Sequence, residues 1–352
     1  MPAAANAAIN AIPSAAMHAA TRPAAEADAS AAEVRSSIGP ARLIRLPNHL
    51  GDACMALPAL EHLAAAAAPP LEVAGRAWAG ELLAALPWRV HALTGSRGDR
   101  VATLRGARAA RPGVQGALLT NSFSSALEFA LAGGRAGGYR RDARGWLLAP
   151  GVPVPAAWHG AQHTAAYYLH LAHCLTGAPA PDPAAPPPVP RLPLLAAARE
   201  RARVLRAAAG VHGVYAVICP LATGLHQGQD KRWPGFAELA ASLAATGLPV
   251  LCFPGPGERA AAAAAAPAAR HLDTLDLQTF GAMLADSAVV VANDSGPGHL
   301  AAAVGARLVS VFGVTDPLKT CPLGAQVRKV GQPGAWPRLQ DVQTAVESLL
   351  RD

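Results

Sequence analysis

Along the chain, runs of β-branched and other apolar residues alternate with alanine-rich stretches of helical period, and turn residues separate the two. Residues 41–46 (ARLIRL) fit a buried strand, Pro47 to Gly51 a loop, and Asp52 to Ala67 a helix that starts at the aspartate. Further strands are expected at 71–75, 90–94 and 115–119, with helical or loop stretches between them. The segment 178–193 (APAPDPAAPPPVPRLP) holds too much proline for helix or strand and reads as a linker. Beyond it the alternation resumes, with helices at 194–209, 234–246, 258–266, 278–286 and 297–304 and strands at 214–219, 249–253, 288–292 and 307–312. Such alternation implies parallel sheets covered on both faces, so the expected class is α/β with two domains, 41–177 and 194–338, and a C-terminal helix over 339–352. A ligand is then expected between the domains, at the carboxyl ends of the strands.

Charge and cysteine usage narrow the partners. The chain of 352 residues has a formal net charge of +7, carried by 27 arginines and only three lysines. A surface this basic calls for an anionic partner: nucleic acid, a phosphorylated sugar or a lipid headgroup. Cys54, Cys174, Cys219, Cys252 and Cys321 are scattered without CxxC spacing, which suggests neither a metal cage nor a disulfide framework and fits cytoplasmic life. No long uncharged apolar window reads as a membrane span. Residues 1–40 lack the pattern of a signal peptide and, being of low complexity, read as a disordered tail.

Four loops at strand ends carry candidate chemistry. In VVVANDSGPGHLAAAVGA (289–306) a strand meets a helix through Asp294, Ser295 and Gly296, with His299 one turn on. The free N–H groups and positive dipole end of such a helix suit a phosphate, although a plain N-cap at Asp294 or Ser295 explains the same residues. In CPLATGLHQGQDKRWPGF a flexible Gly- and Gln-rich loop carries Thr223 and leads to Lys231, a mobile point charge for a diphosphate or simply a solvated cation. In PGPGE, Glu258 follows two glycines and can meet ribose hydroxyls or serve only as a favourable charge at a helix start. In NHLGDACM, Asp52 projects toward the cleft, either as a general base on an acceptor hydroxyl or as an N-cap.

Between 97 and 144 lie nine arginines and three acidic residues around TNSFSSALEFA. Without a stacking platform or recognition helix this strip fits an anionic glycolipid better than nucleic acid, a solvated face being the bland alternative. Asn121, Ser122, Arg140, Arg141 and Arg144 are the candidate acceptor ligands. His159, His163, His170 and His173 show no HExxH spacing and no common stripe, so neither metal nor other cofactor is expected.

In order and spacing, LPNHLGDACMALPAL, TNSFSSALEFALAGGRAGGYRRDARGWLL, CPLATG…DKRWPGFAELA, GPGE and ANDSGPGHLAAAVGARLVSVFG resemble the ADP-heptose:lipopolysaccharide heptosyltransferases of glycosyltransferase family 9. That resemblance, over roughly residues 41 to 350, implies a GT-B architecture of two Rossmann-like domains, the first for the acceptor and the second for the nucleotide sugar. It further implies an inverting, metal-independent transfer of heptose from ADP-heptose to an inner-core lipopolysaccharide acceptor, by a cytoplasmic enzyme in peripheral contact with the inner membrane. On the matching positions, Asp52 is the base, Lys231 steadies the diphosphate, Glu258 meets the ribose, and Asp294, Ser295, Gly296 and His299 hold the diphosphate and sugar. Leu221, Gly298 and a longer loop before Lys231 depart from the family's usual pattern. Another nucleotide sugar or acceptor, or a non-catalytic binding protein on the same scaffold, stands as the alternative.

Overall fold

The computed structural model describes residues 41–67, 70–159 and 162–351; the tail expected at 1–40 lies outside them. Strands β1 (Ala41–Arg45), β2 (Glu72–Gly75), β3 (Arg89–Ala92), β4 (Gln115–Leu118), β5 (Ala136–Tyr139) and β6 (Leu148–Val152) form one parallel sheet in the order 3-2-1-4-5-6. After β7 (Ala216–Cys219) comes a small antiparallel hairpin, β8 (Leu225–His226) and β9 (Gln229–Asp230). With β7, strands β10 (Val250–Cys252), β11 (Arg270–His271), β12 (Val289–Asn293), β13 (Leu308–Phe312) and β14 (Val327–Gly331) build a second parallel sheet, ordered 11-10-7-12-13-14. Both sheets reverse their winding beside their own first strand, at β1/β4 and at β7/β12, and each reversal opens a crevice at the strands' carboxyl ends.

Helices α1 (Leu50–Met55), α2 (Leu57–Ala65), α3 (Ala79–Leu82), α4 (Arg97–Ala109), α5 (Phe123–Leu131) and α6 (Thr164–Thr176) belong to the first domain. The second has α7 (Ala196–Ala208), α8 (Phe236–Ala245), α9 (Arg259–Ala265), α10 (Leu277–Ala285), α11 (Gly296–Ala303), α12 (Pro317–Thr320) and α13 (Leu339–Arg351). The C-terminal helix α13 buries Val342, Val346 and Leu349 against the second sheet. Strands β7, β12 and β13 are buried along their whole length, as continuous Val- and Ile-rich runs covered on both faces should be.

Three local departures have physical causes. The helix expected over Asp52–Ala67 starts two residues earlier, at Leu50, and breaks at Ala56, because Pro58 lacks the N–H that would continue it. The Gly- and Gln-rich loop is not loose. Gln227 and Gly228 both take positive φ (52° and 80°), as a tight two-residue hairpin turn requires, and close β8 on β9. Strand β5 is AGGY, whose glycines hide it from a propensity reading; Leu175 of α6 packs where a side chain on Gly137 would stand.

Residues 177–195 join the domains without helix or strand. Beside this connection the buried Gln278 donates from Nε2 to Leu82 O at 3.0 Å and accepts from Leu195 N at 2.9 Å, while Leu277 N donates to Glu81 at 3.1 Å. These bonds lock the domains together on the linker side. Among the described residues no helix is long and apolar enough to cross a membrane.

Candidate active site

The two crevices meet. Helix α1, at the end of β1, and helix α11, at the end of β12, touch so closely that a Cβ on Gly51 would stand 2.7 Å from the His299 ring and one on Gly296 3.0 Å from Leu50. Glycine at both places is what permits the approach.

Asp52 sits in the first turn of α1, where His49 and not the aspartate is the N-cap, and its carboxylate makes no capping bond. His299, Asp294 and Lys231 of the second domain lie within electrostatic reach of it. Burial pushes its carboxyl above the ordinary value and Asp294 adds to the rise, while His299, His49 and Lys231 oppose it without cancelling it. The Tyr168 phenol of α6 lies against the same carboxyl. Asp52 is thus a half-buried carboxylate with raised proton affinity, within electrostatic reach of Lys231, Asp294 and His299.

Across the contact, Ser295 occupies the N-cap of α11 with extended backbone, yet its hydroxyl donates back to Asn293 O at 3.2 Å and caps no helix N–H. The first turn of α11 therefore keeps N–H groups free of any side-chain cap beside Gly296. Asp294 is buried; Thr320 Oγ1 donates to it at 2.9 Å and His299 Nε2 stands 3.6 Å away. Burial alone would raise its carboxyl, but the bonds from His299, Thr315 and Thr320 hold it below the ordinary value, so it stays ionised.

Lys231 follows the hairpin, partly exposed and without a hydrogen bond or ion pair among the described residues. Its loop is pinned by Asn293, a fully buried residue that sequence reasoning left out. Asn293 Oδ1 accepts from Trp233 N at 2.8 Å, and its Nδ2 donates to Pro220 O at 2.9 Å, so one amide ties together the loops after β7, before α8 and after β12. The signal was the run ANDSG itself, in which a polar residue ends an otherwise apolar strand. Thr223 is exposed in the bend before the hairpin, and no contact fixes its side chain among the described residues.

A pocket of about 190 Å³ opens beside these loops, walled by Phe253, Pro254, Leu275 and Phe280 and bounded toward the first domain by Leu50. Glu258 lines it and accepts from Gly255 N at 3.0 Å. An apolar slot with one carboxylate at its edge suits a planar base and its sugar.

The acceptor candidates divide. Asn121 and Ser122 stand at the end of β4, and Tyr167 donates to Asn121 Oδ1 at 3.1 Å, next to the Tyr168 that backs Asp52. Arg141 reaches Tyr167 and Asp142. Arg140 is exposed and lies over Gly145 and Gly151. Arg144 departs from expectation: it is wholly buried and donates to Thr120 O (2.5 Å), Tyr139 O (3.1 Å) and Asn121 Oδ1 (3.3 Å). With its guanidinium taken up internally it positions Asn121 and does not reach solvent.

The histidines of 163–173 have separate tasks. His163 Nδ1 accepts from Ala165 N, which leaves a proton on Nε2 for Cys321 O at 2.9 Å, a bond across the domain contact. His170 meets the Tyr139 hydroxyl at 2.8 Å, and His173 stacks on His62.

Two Rossmann-ordered parallel sheets whose crevices meet define the GT-B architecture. The sequence pattern of glycosyltransferase family 9 (heptosyltransferase) matches residues 115–347, more than half of the chain, and the chain belongs to that family. The E. coli ADP-heptose LPS heptosyltransferase II superposes with a TM-score of 0.70 at 25% identity, over 88% of this chain and 98% of that one. A glycosyl transferase family 9 protein from Veillonella parvula DSM 2008 gives 0.72 at 16%, over 88% and 96%. E. coli heptosyltransferase WaaC with ADP gives 0.66 at 20%, over 88% and 98%; these last two show the fold. No curated protein matches the chain.

Proposed function

We propose that this enzyme transfers heptose from ADP-heptose to a hydroxyl of an anionic inner-core lipopolysaccharide acceptor, with inversion and without a metal. The observation that carries the reading is the raised Asp52 carboxyl facing Lys231 and the α11 start across the domain contact. The adenosine occupies the pocket of Phe253 and Leu275, with Glu258 exchanging its Gly255 bond for ribose hydroxyls. Asp52 takes the proton of the acceptor hydroxyl as that oxygen attacks the anomeric carbon. The bond from that carbon to the diphosphate breaks, and ADP leaves with the electron pair. Lys231 and the N–H groups beside Ser295 and Gly296 neutralise the departing charge, the role a divalent ion has in other transferases. Asp294, kept ionised, and His299 face the sugar hydroxyls.

The structures of E. coli heptosyltransferase WaaC with ADP and with ADP-2-deoxy-2-fluoro heptose support this donor class. Asn121, Ser122 and Arg141 receive the acceptor, with Arg144 holding Asn121 in place. Phe123 and Trp146 are exposed, their rings 6.2 Å apart, and Arg140 lies over Gly145 just before Trp146; aromatic and basic groups together suit the surface of an anionic membrane and a cytoplasmic enzyme in peripheral contact with it. The test is release of ADP from ADP-heptose with lipopolysaccharide-core acceptors and the anomeric configuration of the product by NMR. Inverted product from the native enzyme and none from Asp52→Asn supports the reading; retention of configuration refutes it. The hairpin β8–β9 just before Lys231 favours a second reading, a different nucleotide sugar, which a thermal-shift panel of donors separates because the true donor stabilises the folded state.

A further inference from the structure

Helix α6 runs from the domain contact to the side of the base. At its start the N-cap His163 donates from Nε2 to Cys321 O of the second domain at 2.9 Å, next to the Thr320 whose hydroxyl donates to Asp294. One turn on, Tyr167 packs its ring on those of Tyr139 (4.2 Å between centroids) and Trp158 (4.0 Å) and donates to Asn121 Oδ1. These contacts fix the helix both along and about its axis. Tyr168 is the next residue, so the same contacts set its direction. Its ring is only 6% exposed, in the apolar cluster that holds Ala53 and Leu171, where α6 packs on α1. Its hydroxyl is hydrogen-bonded to the Asp52 carboxyl.

Which partner keeps the proton follows from the surroundings. Burial and the charge of Asp52 push the phenol well above its ordinary value, so Tyr168 donates and the carboxylate accepts. The other titratable groups around the carboxyl are His49 and Cys54 of the first domain and Lys231, Asp294 and His299 of the second, which act on it through charge. Charge changes how tightly the proton is held. A hydrogen bond from an immobile donor also selects one setting of the soft terminal torsion of the carboxylate, engaging one oxygen and leaving the second for another proton.

We infer that Tyr168 is the positioning residue of the base: its O–H holds one Asp52 oxygen and aims the other at the incoming hydroxyl, while His163 ties the same helix to the second domain. The inference deepens the proposed function and rests on its assignment of Asp52 as base.

Tyr168→Phe keeps the ring in the core and removes only the donor. The test follows the carboxyl-carbon NMR signal of Asp52 against pH in the full-length protein, assigned by its loss in Asp52→Asn. In Tyr168→Phe that carboxyl is expected to titrate at higher pH than in the native protein, because a bond to its charged form is gone, and the acid limb of kcat/KM should move the same way. The kcat should fall about tenfold with the donor KM within about twofold, as loss of one charge-assisted bond at the reacting group implies. Tyr139→Phe removes another buried hydroxyl of the same cluster, bonded to Tyr167 O and His170, and should leave the Asp52 titration in place. An Asp52 titration and kcat unmoved by Tyr168→Phe, or moved equally by Tyr139→Phe, overturns the inference. Turnover retained by Asp52→Asn refutes the base reading instead, and the NMR titration of Tyr168→Phe then decides by itself whether the phenol holds the carboxylate.

Discussion

At the mouth of the first sheet, the segments after β1, β4 and β5 carry Asp52 in the first turn of α1, Asn121 and a set of arginines; at the second, the segments after β7, β10 and β12 carry Lys231, Glu258 and a glycine-flanked helix start. Both sheets follow the order 3-2-1-4-5-6 in their own numbering, so topology places a ligand at the same point in each. What differs is how the charge is supplied. In the proposed reaction the second mouth meets an anion with one mobile lysine and backbone N–H groups, which suits a diphosphate that must depart. The first holds one carboxylate, Asp52, whose burial raises its affinity for a proton and which the proposed reaction uses as base. In that proposal the same crevice, duplicated, serves as a donor side and an acceptor side through side chains alone.

Removing the base is the most severe way to break that division. Asp52→Asn is expected to lower kcat about a thousandfold while ADP affinity, read by calorimetry, stays within about twofold. Its stability should not fall. Because the folded carboxyl binds its proton more tightly than the unfolded one, the contribution of Asp52 to stability is present at low pH and is lost as pH rises through its raised value, so at neutral pH the ionised side chain is a liability the amide removes. Lys231→Ala on the donor side should cost about a hundredfold in kcat and weaken ADP as well, since the ammonium serves both ground state and departing charge.

Asn293→Ala tests whether the donor side depends on one buried amide. It leaves Trp233 N without its acceptor and should destabilise the fold by about 1–3 kcal/mol in denaturant titrations, with weaker ADP binding in what remains folded. Smallest is Trp146→Ser, expected to lower partitioning onto anionic vesicles a few-fold, roughly what one interfacial aromatic contributes, without changing turnover on a water-soluble acceptor.

Much of this was legible in the chain. The alternation of β and α, the proline-rich connection and the placing of Asp52, Lys231, Glu258 and Asp294 at strand ends follow from periodicity and turn chemistry, and the structure brings Asp52, Lys231, Asp294 and His299 together. What escaped depends on partners distant in sequence. Arg144 reads as one more surface arginine until its carbonyl partners at Tyr139 and Thr120 are seen. Strand β14 escaped because an edge strand carries charge, here Arg328 and Lys329, which blurs its alternation. The Gln227–Gly228 turn was too short a signal against the flexible composition around it. Arg45 sits in the apolar run ARLIRL, and only the structure shows it buried beside Glu128.

The most direct test of two unlike mouths facing one another is the acid limb of kcat/KM against pH, in the native enzyme and in Lys231→Gln. Because the ammonium opposes the rise of the Asp52 carboxyl from across the contact, the native limb should lie above the ordinary carboxylate range, and losing the lysine should move it higher still. A limb at the ordinary value, or one that stays in place when the lysine is removed, would contradict the account.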